Sequence, residues 1–218
     1  MAEDEKCAQR VPKKLRSPLH PGLAADAKLL IKLVKEYIPI TRDTRLLEVG
    51  CGWGVFTFHL DRECKVLGID TSPALLQRNP IDKTLLMDVQ DLQFEGGTFD
   101  VVFAHDTLHH IPDPDKAIRE MARVSKRHVV IVEPNILNLA NAILSVANKE
   151  ERKAHRFTVR GLERLVARNG LRIIHMRRYG TLVPFLTPRF LVPLQRALSF
   201  DQPFGLEHLV IAERVLTD

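Results

Sequence analysis

Hydrophobic and polar positions along this chain switch repeatedly between a helical and a strand-like spacing. Between Pro21 and Tyr37 the apolar residues Leu23, Ala27, Leu30, Ile31, Val34 and Ile38 recur three or four apart before Pro39, which predicts an amphipathic helix. Short strands then alternate with helices. Strands are expected at Arg45 to Val49, Lys65 to Ile69, Thr84 to Met87, Phe99 to Ala104 and His128 to Val132, and helices at 54–62, 72–78 and 113–125. Thr71 or Ser72 suits an N-cap, with Pro73 at the first helical position. Ala117, Met121 and Val124 share one face of the third helix. Strands separated by helices imply right-handed crossovers and a parallel sheet. The rhythm changes after Glu133-Pro134-Asn135. Helices are expected at 136–146 and 159–169, the second closed by Gly170. Strands follow at Leu171 to Arg178 and Leu206 to Val215. Between these lies Thr181 to Gly205, rich in proline and large apolar residues.

The pattern therefore gives a single α/β domain over 21–218. Its sheet is doubly wound, seven-stranded and mostly parallel, with a helix in front and a helical, apolar insert towards the C-terminus. Residues 1–20 read as a flexible lead-in, and 135–160 and 181–205 as insert or lid segments. The 218 residues, 45% of them apolar, suffice for one such core. No apolar stretch reaches the roughly 18 residues of a membrane span, and the charged start has no signal-peptide pattern. Cys7, Cys51 and Cys64 form no C-x-x-C pair, which points to a reducing, cytoplasmic setting without a zinc site or disulfide framework. The net charge of +5 comes from scattered groups at Lys13-Lys14-Arg16, Arg123 to His128 and Lys149 to Arg156, which permit an anionic partner without demanding one.

The run Leu46-Leu47-Glu48-Val49-Gly50-Cys51-Gly52-Trp53-Gly54 concentrates the candidate chemistry. Alternate glycines at the end of an apolar strand let backbone approach a ligand closely. The dinucleotide pattern G-x-G-x-x-G fails, because Val55 or Thr57 stands where its third glycine belongs, and the phosphate-cradling G-x-x-x-x-G-K-[ST] is absent. The E-x-G-x-G-x-G that is present resembles the first motif of the class I S-adenosylmethionine-dependent methyltransferases. Phe99-Asp100-Val101-Val102 followed by Leu108-His109-His110-Ile111 resembles their small-molecule subgroup of the ubiquinone/menaquinone-biosynthesis type. The likeness is close over about residues 45–135 and architectural beyond.

The resemblance implies a Rossmann-like methyltransferase fold with an antiparallel seventh strand, and S-adenosyl-L-methionine as donor, leaving as S-adenosyl-L-homocysteine. Ligands of such sheets sit beyond the carboxyl ends of the strands. Glu48, Gly50, Cys51, Gly52 and Gly54 would then meet the methionine end. Asp70, with Thr71 beside it, would accept from the ribose hydroxyls. Asp88 and Val89 would meet adenine, and the carbonyl of His105 the ammonium. No metal is implied, since adjacent histidines usually point apart. His109 and His110 are candidate general bases, against a role in shaping the pocket or capping the next helix.

A sulfonium already leaves readily, so alignment of the acceptor suffices and no catalytic residue is required. His105-Asp106-Thr107-Leu108 occupies the place of the Asp/Asn-Pro-Pro-aromatic motif of nucleic-acid amino methyltransferases. A small, partly apolar acceptor methylated on oxygen or carbon is the favoured reading. The alternatives are an RNA methyltransferase using the basic clusters, and a non-catalytic adenosylmethionine-binding or assembly protein. Residues 181–205 would form an acceptor pocket, a lid or a dimer contact.

Overall fold

In the computed structural model, residues 17–147 and 151–215 are described. Most of the lead-in, Cys7, the group Lys13-Lys14-Arg16 and Lys149 lie outside them. Seven strands form one sheet: β1 (Arg45–Val49), β2 (Lys65–Asp70), β3 (Thr84–Leu86), β4 (Phe99–His105), β5 (Ser125–Pro134), β6 (Leu171–Tyr179) and β7 (Glu207–Arg214). Their order is β3-β2-β1-β4-β5-β7-β6. The first five strands run parallel, and β7 is antiparallel to both β5 and β6. The strand order reverses between β1 and β4, where Val49 pairs with Ala104, and open α/β sheets bind their ligands at such a point.

The central strands are apolar at successive positions because both sheet faces are covered. On one face Leu47, Val49, Val102 and Ile131 pack against Ile118 and Met121 of α4 (Pro114–Val124) and Leu162 and Val166 of α6 (Val159–Arg168). On the other, Leu46, Phe103, Val130 and Val132 pack against Leu30 and Val34 of α1 (Pro21–Lys35) and Leu60 of α2 (Val55–Leu60). Glu48 breaks the apolar run of β1, yet it is buried as deeply as its neighbours. Helix starts follow the expected caps. Ser72 accepts from the Leu75 amide before α3 (Pro73–Leu76), Asp113 from the Lys116 amide and Thr158 from the Gly161 amide.

Two elements differ most from the pattern-based reading. β5 begins at Ser125 and ends at Pro134, because pairing with β7 extends to Pro134↔Glu207 and pairing with β4 reaches back to Phe99↔Ser125. The helix expected from residue 136 starts only at Leu139 (α5, Leu139–Ala147), since the side chain of Asn135 bonds the 203–205 backbone and that of Asn138 bonds Phe204. The stretch 181–205 is built of two short 3-10 turns and α7 (Val192–Ala197); the first turn, Pro184–Leu186, and α7 lie against α1. There, a Cβ on Gly22 would come within 2.0 Å of the Pro184 carbonyl oxygen. No helix among the described residues is long and apolar enough to cross a membrane.

Candidate active site

The loop after β1 takes its shape from three left-handed glycines. Gly50, Gly52 and Gly54 have φ of 69°, 49° and 85°, values open to glycine and costly for other residues. Their surroundings differ. A Cβ on Gly50 would lie 2.3 Å from the Thr107 hydroxyl and one on Gly54 2.2 Å from Asn79 Oδ1, so those two serve packing within the protein. A Cβ on Gly52 would meet nothing within 4 Å. That backbone faces open space, which suits a ligand. The Cys51 side chain turns inward beneath Gly68, leaving only its backbone for a ligand. One carboxylate oxygen of Glu48, Oε2, is buried without a hydrogen-bond partner. Burial raises the Glu48 pKa to about 8, against the hydroxyl of Thr57 and the charge of His105, which pull it down.

Asp70 ends β2 and reaches back to this loop. Its Oδ2 accepts from the Gly52 amide at 2.9 Å and its Oδ1 from the Ser72 amide at 2.8 Å, so one carboxylate fixes both turns. Thr71 beside it is exposed. Asp88 is exposed, with Oδ1 holding the Gln90 amide at 2.8 Å and both oxygens meeting the Gln90 side chain. Val89 is buried in the core beside them. The expected donor-site residues thus converge along the ends of β1, β2 and β3.

Past β4 the structure holds more chemistry than the sequence reading assigned. The carbonyl of His105 accepts from the Thr107 hydroxyl at 2.8 Å. Its imidazole, given no role by the sequence, lies 3.1 Å from Glu207 Oε2, 3.6 Å from Asp106 Oδ2 and against the ring of Phe56, centroids 4.1 Å apart. Tyr179 donates to the same Glu207 oxygen at 2.6 Å. Ligating atoms of Asp26, His105 and Glu207 all fall within 4.8 Å of one another. Burial opposes a charge on His105, but Asp106, Glu207 and Asp26 outweigh it and raise its pKa to about 10. Asp106 is the only non-glycine with positive φ (47°) among the described residues. Aspartate tolerates that conformation, which turns the chain sharply at the strand end.

His109 and His110 lie on a 3-10 turn with ring centroids 3.9 Å apart. Adjacent histidines therefore do not point apart here, and their nitrogens come within 4.8 Å of a Glu151 oxygen as a set, so the adjacency argument against a metal fails on this backbone. His109 is nonetheless spoken for. It sits between Glu133 Oε2 at 2.7 Å and Glu151 Oε2 at 3.3 Å. Glu133 ends β5 fully buried, and its other oxygen accepts from the amides of Thr107 and Leu108. Buried on both sides, His109 holds the β4–α4 connection in place. Asp26, Glu133, Glu151, Tyr179 and Glu207 were not singled out from the sequence. Glu133 carried the same signal as Asp70, an acid closing a strand, while Asp26 sits four residues before Leu30, inside the apolar stripe of α1.

Residues 47–132 match the family described as a methyltransferase domain. Over that stretch the chain is similar to methyltransferases. Its sequence is 35% identical over 103 residues to the phosphatidylethanolamine N-methyltransferase of Cereibacter sphaeroides, covering 42% of this chain and 51% of that protein. It is 31% identical over 121 residues to the norajmaline N-methyltransferase of Rauvolfia serpentina, covering 49% and 40%. The chain thus matches about half or less of the length of these relatives. A methyltransferase structure from Thermotoga maritima superposes with a TM-score of 0.64 at 17% identity, over 89% of this chain and 88% of that one, a likeness of fold.

The residues of the matched stretch fit the donor. Gly52 leaves a cradle that a Cβ would fill, and the orphaned oxygen of Glu48 suits a positively charged group. Asp70→Ala should weaken donor binding more than Asp113→Ala, because Asp70 also anchors the Gly52 amide whereas Asp113 caps α4. Asp113→Ala should instead cost about 1 kcal/mol of stability. Calorimetry with adenosylhomocysteine, together with thermal unfolding of both variants, separates the two effects, and equal losses of affinity would contradict the placement.

Proposed function

We propose that this chain moves the methyl group of S-adenosylmethionine to a small, partly apolar acceptor. The observation that carries the reading is the open backbone at Gly52, pinned by Asp70 between the orphaned Oε2 of Glu48 and the end of β2. Glu48 and the glycine loop hold the methionine end, Asp70 with Thr71 the ribose, and Asp88 with Val89 the adenine. When bound, the donor supplies an electrophilic methyl group on a sulfonium that is already a good leaving group. The task left to the protein is to hold the acceptor in line and exclude water.

Segments 135–160 and 181–205 serve as the lid on the acceptor side. Leu186, Phe190 and Leu194 in the second of these segments, and Phe200 and Phe204 after α7, expose large apolar surface, which suits a partly apolar acceptor. An RNA acceptor is less well supported, because the cluster 123–128 is spent within the protein. Arg123 bonds Glu120 and the carbonyls of Leu92 and Phe94, Lys126 pairs with Asp100, and Arg127 with Glu213. Buried free thiols at Cys51 and Cys64 suit a reducing compartment. Calorimetry of the full chain with adenosylhomocysteine is expected to give a dissociation constant in the micromolar range typical of enzyme ligands, about 1 μM to 1 mM. No heat at millimolar ligand would refute the reading.

A further inference from the structure

The sequence favours oxygen or carbon as the methylated atom, but the charge around the acceptor side favours nitrogen. Four carboxyl groups (Asp26, Glu48, Asp106 and Glu207) surround a single imidazole, His105, at the reversal point of the sheet. Asp26 is 5% exposed, and its carboxylate makes no hydrogen bond among the described residues. It comes from the first turns of α1, the helix against which parts of the 181–205 insert pack. Glu207 has the Tyr179 hydroxyl and His105 on one oxygen, Oε2. Asp106, 43% exposed, lies at the opening.

One cation cannot balance the three buried acids Asp26, Glu48 and Glu207. Unpaired, buried carboxylates must take up protons, and burial and the charge of Glu207 hold Asp26 well above the usual carboxylate range. A phenolate or enolate acceptor would bring a further negative charge among them. An alkylammonium brings the opposite charge, three N–H donors and a proton to give away.

We infer that Asp26, Glu207 and Asp106, steadied by His105 and Tyr179, bind the acceptor as a primary or secondary amine. This deepens the proposed function and rests on it. The bound ammonium gives one proton to a carboxylate. The freed nitrogen lone pair then attacks the sulfonium methyl carbon. As the N–C bond forms, the C–S bond breaks with its pair going to sulfur, and the positive charge passes from sulfonium to the methylated ammonium. The face of Phe56 beside His105 supplies an apolar wall.

The test uses the full chain, a methyl-labelled donor and native metabolites divided at pH 7 on a cation exchanger into retained and unretained pools. Label is expected in the retained pool, on a product that is again retained and is heavier by one methyl group. Label confined to the unretained pool would overturn the inference. So would no label in either pool from a protein that binds adenosylhomocysteine. A protein that fails to bind adenosylhomocysteine would instead refute the donor reading, so the two failures are distinguishable. Glu207→Gln and the near-isosteric Asp26→Asn should each lower kcat/KM for the labelled amine by about 100-fold or more, since a charge partner of the acceptor is removed. Adenosylhomocysteine affinity, measured by calorimetry, should stay within about threefold of wild type, a shift under 1 kcal/mol. If both folded variants turn over within that same margin, the acids do not hold the acceptor.

Discussion

Gly52→Val is expected to abolish donor binding while leaving the fold standing. The native φ of 49° charges a branched residue a strain of about 1–2 kcal/mol, which a domain of this size survives. Beyond its chain neighbours no protein atom stands within 4 Å of the new Cβ, so the Cβ itself meets no packing of the fold. The methyl groups would project into the only thing that space serves, the approach of a ligand to the loop. A loss of three or more kcal/mol of contact corresponds to an affinity drop on the order of 100-fold or greater. Gly50→Val is the informative contrast. Its Cβ would collide with Thr107, whose hydroxyl bridges the β4 end to the Val49 carbonyl, so unfolding and loss of binding should arrive together. Calorimetry with adenosylhomocysteine and thermal melts of the two variants make the comparison. Near-normal affinity in Gly52→Val would show that the ligand does not pass over this loop.

The candidate donor half of the site was legible because it is made of backbone. A chain that must run out of a buried strand, turn three times through left-handed space and start a helix has few residues to choose from, so Gly50, Gly52 and Gly54 announce themselves. Asp70 and Asp88 were legible for a similar reason, as acids closing apolar runs. The strands were legible because both faces of the sheet are covered, which makes Val101 to Ala104 of β4 and Val129 to Val132 of β5 read as unbroken apolar words. Where the boundaries slipped, a partner distant in sequence had decided them. β5 reaches Pro134 because β7, some seventy residues later, pairs with it.

The cluster proposed to hold the acceptor was not legible, because each of its groups is ordinary where it stands. Asp26 is one acid in a helix, Glu207 one acid opening a strand, Tyr179 one aromatic closing another. What makes them a site is the meeting of α1, β4, β6 and β7 at one point, and no spacing along the chain records it. His105 shows the same limit. Its position after β4 pointed to its carbonyl, and only the arrival of Glu207 gives the imidazole work. Conversely, the His109-His110 pair drew notice as a pattern, while only the fold reveals that His109 is buried between Glu133 and Glu151.

That buried position sets the last expectation, that stability falls as pH rises from about 6.5 to 10 and that Glu133 is responsible for much of the slope. His109 and Glu133 are 1% and 0% exposed at 2.7 Å, in a pair whose carboxylate also holds two backbone amides. Burial works against the His109 charge, but Glu133, joined by Glu151 and Asp106, raises the pKa from 6.5 to about 10. A raised folded-state pKa means that the native protein holds this proton more tightly than the unfolded chain. The stabilisation is therefore complete below the unfolded value near 6.5 and is lost as pH climbs through 10. His105 acts with the same sign over the same window, and Glu48, raised from 4.5 to about 8, adds a loss that begins lower. Glu133→Ala removes one partner of a buried pair and should cost about 3–5 kcal/mol near neutral pH. Glu133→Gln keeps the shape and the acceptor oxygen for Leu108, so it should cost less and flatten the slope, leaving the share due to His105. Denaturant titrations of wild type and Glu133→Gln at pH 6.5, 8 and 9.5 read this out. A wild-type stability that rises with pH across that window, or a variant slope as steep as the native one, would show that the His109 proton is not held by Glu133.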